Sequence, residues 1–581
     1  MARDPDEGAA YVFDLVDDDA ADPGALLGAA RTDGTGGPGN PDRGAGADGA
    51  GADGAGADGA GSPAGGPAVS GGQVVTWRRA APLVALLAVA LGTGLAVDGA
   101  RDAARMERMR DAPGGVADLS VPLDETWVWQ GKVDLGEGMT DVAVLGGDLV
   151  FESEGELVAL DPATGEESWT VELGAGPECG PTVSPVWDDP TTPSLVCLQE
   201  RGRETEVIVV RPGGETSAPR LLPAADAARY GQPHTGPDGT VLRARRVGPE
   251  TSLGEDVRCD ESGECNGQIV DGRDLVLRAE DAVTGEERWS VTVPFHPTEA
   301  AQCTSSFSAA WGSSENRIHL SGQLAPEAFG ARVRADLVNV EGCGVQAAVT
   351  SSGVLLGSRL EPGSSVVGRL DSGGYLGMTW DGVTRTLLYD ADGATRGKVS
   401  GYVIAPKSTD EAGPATLLAI DEPRRRLSAH EADGTARWDI ALQSGGQEFL
   451  AQVGETAVIT TGAGTVRGLD LATGEERWTW DGSDPDVLAD GGYFGTAYVV
   501  QSFTDGEVVL LLAEGNGTVA RGMVALDAGT GEVVWDEAGG GPGTTLDPHD
   551  GDVVRQGVTG DLVAVDGHLM EVGSVGVRGL G

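Results

Sequence analysis

Four stretches of this chain follow one pattern, A-x-D-x-x-T-G-x-x-x-W, and that repetition constrains the fold more than any other feature. The copies run from Ala159 through Asp161, Thr164 and Gly165 to Trp169, and from Ala279 through Asp281, Thr284 and Gly285 to Trp289. The other two run from Gly468 through Asp470, Thr473 and Gly474 to Trp478, and from Ala525 through Asp527, Thr530 and Gly531 to Trp535. Each predicts a strand, a tight turn and a returning strand. The Asp side chain caps the turn, the Gly takes its φ > 0 position, and the Trp anchors the returning strand. A unit this small cannot bury its own apolar face, so the copies must stack into an array of sheets.

The repeat resembles that of the PQQ-like β-propellers, in which this segment joins the last two strands of a blade. Weaker copies keep the turn at Asp433-Gly434 before Trp438, at Asp392-Gly393, at Gly342 and at Gly213-Gly214. Taking Gly165, Gly214, Gly285, Gly342, Gly393, Gly434, Gly474 and Gly531 as turn glycines gives intervals from 40 (474 − 434) to 71 (285 − 214) residues. Blades of roughly 40–50 residues with loop insertions fit those intervals. The expectation is an all-β propeller of seven or eight blades, eight favoured, over residues 120–581. The Asp, Gly and Trp positions of the repeat are structural under every functional reading.

Composition agrees with a turn-rich sheet protein: 93 glycines and only 5% aromatic residues. Lysine occurs only at Lys132, Lys398 and Lys407, and with the Ala, Gly and Asp bias this resembles the product of a high-GC, actinobacterial genome. A net charge of −51 excludes ready binding to nucleic acid, whose phosphates need a basic footprint.

The first 76 residues are different in kind. Gly-Ala-Asp repeats across 45–61 carry no large apolar residue and cannot offset the entropy of folding. Residues 1–76 therefore read as an acidic, disordered tail. One island, Tyr11, Phe13 and Leu15 before an acidic run, has the alternation of a strand that docks on a partner's sheet edge. Residues 80–97 are uncharged and apolar, and 18 residues span about 27 Å against a hydrocarbon thickness of ~30 Å. A transmembrane helix is expected over 77–100, followed by a charged stalk over 101–119.

Orientation pulls two ways. Arg101, Arg105, Arg108 and Arg110 outnumber Arg78 and Arg79, so the positive-inside count favours an outward N-terminus. Against it, an acidic 76-residue tail is a poor segment to translocate, and all six cysteines lie beyond the span, as an oxidising side requires. The expectation is a single-pass signal-anchor with a cytoplasmic N-terminus and an extracytoplasmic propeller in the plasma membrane.

Six cysteines allow fifteen pairings. Nearest neighbours give Cys179–Cys197, Cys259–Cys265 and Cys303–Cys343, and no CxxC suggests zinc. No GxSxG, HExxH or phosphate-cradling loop occurs, and six scattered histidines offer no catalytic set. Asp390-Ala-Asp392-Gly393 lacks the closing Glu of a calcium loop and reads as a blade turn.

Two functional readings follow. The first is a non-catalytic interaction or scaffolding module of the cell envelope, without cofactor or metal, binding an envelope protein or extended ligand. The alternative is a quinoprotein dehydrogenase holding pyrroloquinoline quinone and calcium. The resemblance implies for many such enzymes an adjacent Cys-Cys pair, which this sequence lacks.

Overall fold

The structure, a computed structural model, describes residues 103–581 apart from 135–141, 175, 183–189, 261–264, 305–323, 357–364, 371–372, 381–382, 443–446, 462–464, 481–497, 515–520, 538–543, 547–552 and 556–559. The expected tail, its Tyr11, Phe13 and Leu15 island and the expected span lie outside the described residues. Among the described residues no helix is long and apolar enough to cross a membrane.

Antiparallel four-stranded meanders succeed one another as the blades of an all-β propeller. Blades 1 to 8 cover residues 143–172, 178–222, 233–293, 329–356, 365–400, 402–441, 449–480 and 498–537. A ninth takes three strands from 561–580 and its fourth, Glu125–Gln130, from the beginning of the domain. The described residues thus form nine blades, not the seven or eight expected. The turnless ninth blade explains the difference, and one turn within blade 4 is reassigned. Blade 9 has no covalent turn between its third and fourth strands, so no glycine marks it. Gly342 joins the second and third strands of blade 4; the third-to-fourth turn there holds Gly353, at φ +85°.

Each blade buries apolar residues on both faces of its central strands against its neighbours, as in Val509–Leu512 and Val458–Ile459. At several junctions one large side chain seats the next blade. Trp289, Trp438 and Trp478 each lie over the turn glycine of the next blade, Gly353, Gly474 and Gly531. Their indole Nε1–H groups donate to carbonyls of the same turns: Ser351 at 2.8 Å, Leu471 at 2.9 Å and Ala528 at 3.0 Å. A Cβ at Gly531 would sit 2.4 Å from the Trp478 ring, so glycine is required there for close approach as well as for φ +72°.

Trp127 closes the ring in the same way, over Gly165 and donating to Pro162 O at 3.2 Å. Trp535 finds no turn on blade 9 and donates instead to Leu119 O at 2.7 Å. Trp169 packs on Gly214 but turns its Nε1–H to Asp148 of its own blade.

The segment expected as a charged stalk belongs to the propeller. Residues 103–111 are helical, and Met109, Ala112, Val116 and Leu119 are buried. Gly115 and Val116 bridge to Thr504 and Gly567, and Arg105 pairs with Glu507 at 2.9 Å. The Leu119 amide donates to Asp505, whose other oxygen caps the Glu507 and Val508 amides. Residues 103–119 therefore pack as part of the propeller, through Met109 of the helix and Ala112, Val116 and Leu119 of the extended stretch after it.

Candidate functional site

A meander places its connections at alternating ends. In every blade the first-to-second and third-to-fourth turns share one end; second-to-third turns and the links to the next blade share the other. The first end carries the tight Asp–Gly turns and receives the 103–119 segment, through the turns at Thr504–Val508 and Val565–His568. The second end carries the long insertions. Loops displayed by a rigid scaffold are where binding surfaces concentrate, and here they gather over blades 2 to 4.

The repeat residues resolve as turn chemistry. Oδ1 of Asp161, Asp281, Asp470 and Asp527 accepts the amides two and three residues on. The remaining oxygens of Asp281 and Asp470 accept from Arg288 and Arg477. Burial pushes the Asp281 carboxyl up, but the Thr284 amide, Arg288 and the Thr284 hydroxyl together bring it down to about 2. These carboxylates are spoken for, and Asp390 caps Asp392 and Ala394 likewise.

The cysteines pair as nearest neighbours: Cys179–Cys197, Cys259–Cys265 and Cys303–Cys343. The first two join directly opposed residues of adjacent strands. The third ties the link after blade 3 to the second-to-third turn of blade 4. Together with the 248–272 insertion, that link forms a small cap with its own core of Cys265, Ile269, Ala300, Cys303 and Cys343, completed by Phe295.

Arg246 fastens the cap to the blades. Its guanidinium donates to Arg273 O at 2.9 Å, Cys343 O at 2.9 Å and Ala328 O at 3.2 Å. Burial lowers its pKa to about 10, with Glu327 and Asp274 opposing; it remains charged at neutral pH. Replacing Cys303 and Cys343 with serine is expected to cost about 2–4 kcal/mol. The loss should appear as faster amide exchange in 294–304 and 324–333, with the strands of blades 6 to 8 unchanged.

Beside the cap, the junction of blades 2 and 3 departs from the others. Where blades 3, 6 and 7 present Trp, blade 2 presents Arg220, lying over Gly285 with its Nε–H donating to Ala282 O at 2.9 Å. Ala282 holds the turn position that Leu471 and Ala528 hold elsewhere. The residue before the turn Asp changes too. It is Leu160, Leu469 and Leu526 in the other full copies, all buried, and Glu280 here, equally buried and accepting from Arg220 at 3.0 Å.

Glu280 also lies 3.8 Å from both Arg243 and Arg278, which are direct cross-strand partners. Arg243 is 1% exposed; burial lowers its pKa, with Glu280 and Asp226 opposing. Arg278 stacks on Tyr230 at 4.2 Å. A cleft of about 200 Å³ opens above this cluster, with Arg243 and Gln232 inside and Glu200, Arg203 and Glu204 along the second-to-third turn of blade 2. The repeat pattern focused attention on tryptophans and missed this junction, although Glu280 in the place of Leu was visible in the sequence.

No three His, Cys, Asp or Glu side chains among the described residues converge as metal ligands, and the cysteines pair 6, 18 and 40 residues apart.

Residues 387–538 and 424–576 match the family described as outer membrane protein assembly factor BamB. No curated protein matches the sequence. Among solved structures the chain is similar to BamB from Moraxella catarrhalis, with 14% identity over 79% of this chain and 97% of that one and a TM-score of 0.34. It is also similar to the quinohemoprotein alcohol dehydrogenase from Comamonas testosteroni (11% identity, 79% and 76% covered, TM-score 0.29) and to Saccharomyces cerevisiae Sqt1 (9%, 79% and 99%, 0.33). The family match runs from blade 5 to blade 9, so the BamB-like repeat accounts for the C-terminal blades of this propeller.

Proposed function

We propose that this protein is a single-pass, membrane-anchored propeller that stands outside the cytoplasm and serves as a non-catalytic docking module of the cell envelope. The observation that carries this reading is the opposition of its two ends. The 103–119 segment, which follows the apolar run at 80–97 almost immediately, packs on the tight-turn end. The disulfide-tied cap and the arginine cleft occupy the other end, which then faces away from the membrane. Three disulfides suit an oxidising compartment, and the −51 charge keeps a large ectodomain soluble beside anionic lipid. The acidic tail, with Tyr11, Phe13 and Leu15, is left inside for a cytoplasmic partner.

Fractionation of cells expressing the full chain tests the anchor. The protein is expected in the membrane pellet with its N-terminus intact, and external protease should remove the propeller while sparing the tail. A soluble protein beginning after Asp98 overturns the anchor. Reconstitution with pyrroloquinoline quinone and calcium tests the non-catalytic half: saturable dye-linked oxidation of alcohols or sugars would make the protein a dehydrogenase.

A further inference from the structure

We propose that the cleft between blades 2 and 3 binds a small zwitterion, such as a free α-amino acid or the corresponding end of a peptide, with its carboxylate on Arg243 and its ammonium toward Glu200 and Glu204. This site is separate from the anchor and stands wherever the chain resides.

The argument begins with what the junction gives up. Elsewhere a Trp of one blade packs with a Leu of the next, as Trp438 does with Leu469 and Trp478 with Leu526. At blades 2 and 3 both members change together, to Arg220 and Glu280. A buried ion pair is no more stabilising than well-packed apolar residues of similar volume and is often less so. Stability therefore does not account for the exchange.

The exchange is also unbalanced. Glu280 is one buried carboxylate facing three guanidiniums, those of Arg220, Arg243 and Arg278, with Asp226 a further anion acting on Arg243. Glu287, 3.3 Å from Arg278, is half-exposed. Arg243 and Arg278 stand directly opposite on neighbouring strands, a like-charge pairing that costs stability without a further anion. Neither buried Nε–H is hydrogen-bonded: that of Arg243 stops 3.8 Å from Glu280 and that of Arg278 3.3 Å from Glu287. Arg243 has placed one terminal nitrogen on Gly231 O at 2.9 Å. A buried donor held out of hydrogen-bonding geometry keeps part of the penalty of its desolvation. A carboxylate removes it, because its two oxygens match the planar guanidinium fork.

Arg243 lines the floor of the cleft, 1% exposed, and the cleft is the side from which a ligand carboxylate reaches its guanidinium. The mouth is not simply cationic: Glu200 and Glu204 flank Arg203 there, and all three are exposed. A ligand carrying only negative charge meets repulsion on the way in. One with a carboxylate leading and an ammonium trailing matches both ends, and the volume of about 200 Å³ suits a group of amino-acid size.

Calorimetric titration of the full chain at low ionic strength with L-alanine, propionate and L-alaninamide separates the contributions. Alanine should bind saturably, with propionate and alaninamide each about tenfold weaker. The Glu200→Gln/Glu204→Gln double variant, altered only at exposed positions, should bring alanine down to propionate. Arg243→Gln should abolish carboxylate binding. Because that buried change can also unfold the junction, the Arg243 Nε–H resonance of the unaltered chain is followed as well, and it should shift with alanine but not with alaninamide. No saturable alanine binding, alaninamide equal to alanine, propionate equal to alanine, or an unmoved Nε–H resonance would each overturn the proposal.

Discussion

Trp478→Ala and Trp535→Ala should each lower the stability of the propeller by about 3–5 kcal/mol, read from chemical denaturation. Both rings are more than nine-tenths buried, each fills an inter-blade seam, and each has an indole N–H satisfied by the neighbouring unit, Ala528 O or Leu119 O. Truncation leaves a cavity and an unpaired carbonyl together, and the surrounding strands are too well packed to collapse into it. Trp169→Ala is the internal control. That ring is only part-buried and donates to Asp148 of its own blade, so its loss breaks no hydrogen bond across the seam. It should cost distinctly less. Equal losses at Trp169 and Trp478 would show that burial area, and not docking on the next blade, sets the energy.

The same comparison shows what the sequence can convey. The turn pattern is legible because its chemistry is local: the Asp, Thr and Gly of each copy bond one another within a few residues, whatever the rest of the chain does. Blade number is not legible in this way, because the ninth blade closes with a strand more than 400 residues away from its partner (Trp127 against Gly579, 579 − 127) and needs no turn. Gly342 misled for a related reason. Second-to-third and third-to-fourth turns both favour Gly, and only pairing partners distinguish them. The cysteine pairs were legible because two of them staple neighbouring strands of one hairpin, the closest contacts a sheet offers.

The arginine cleft shows a different limit. Arg220 has no motif of its own and gains meaning only from the fact that it occupies a tryptophan's place. The sequence did carry a hint in Glu280, since a carboxylate cannot be buried where Leu is buried elsewhere without a cation coming to meet it. Which cation, and that Arg243 and Arg278 would crowd the same carboxylate, depended on a neighbouring blade and on strand register.

The segment between the apolar run and the first blade supplies the other large effect. A propeller fragment beginning at residue 120 should be much less stable than one beginning at 101. The difference falls on blade 9 and its seams. Met109, Val116 and Leu119 are all but fully buried, and at about 1.5–3 kcal/mol for each such side chain their removal withdraws roughly 4.5–9 kcal/mol. The entropy regained by residues no longer ordered offsets part of this. Loss of Leu119 also strips the acceptor from Trp535 Nε1–H and one donor from Asp505. Loss of 113–117 frees the Thr409, Thr504 and Gly567 backbone groups that now bond to it. Amide exchange should therefore accelerate first in Asp561–Val565 and His568–Gly573, in the 498–514 strands of blade 8 and at Thr409, while blades 2 to 5 hold. Identical exchange and denaturation midpoints for the two fragments would mean that the arginine-rich segment merely drapes over the surface. The expected outcome makes the tether part of the ring closure: the chain leaving the apolar run supplies first the packing that seats Trp535, and then the strand that completes blade 9.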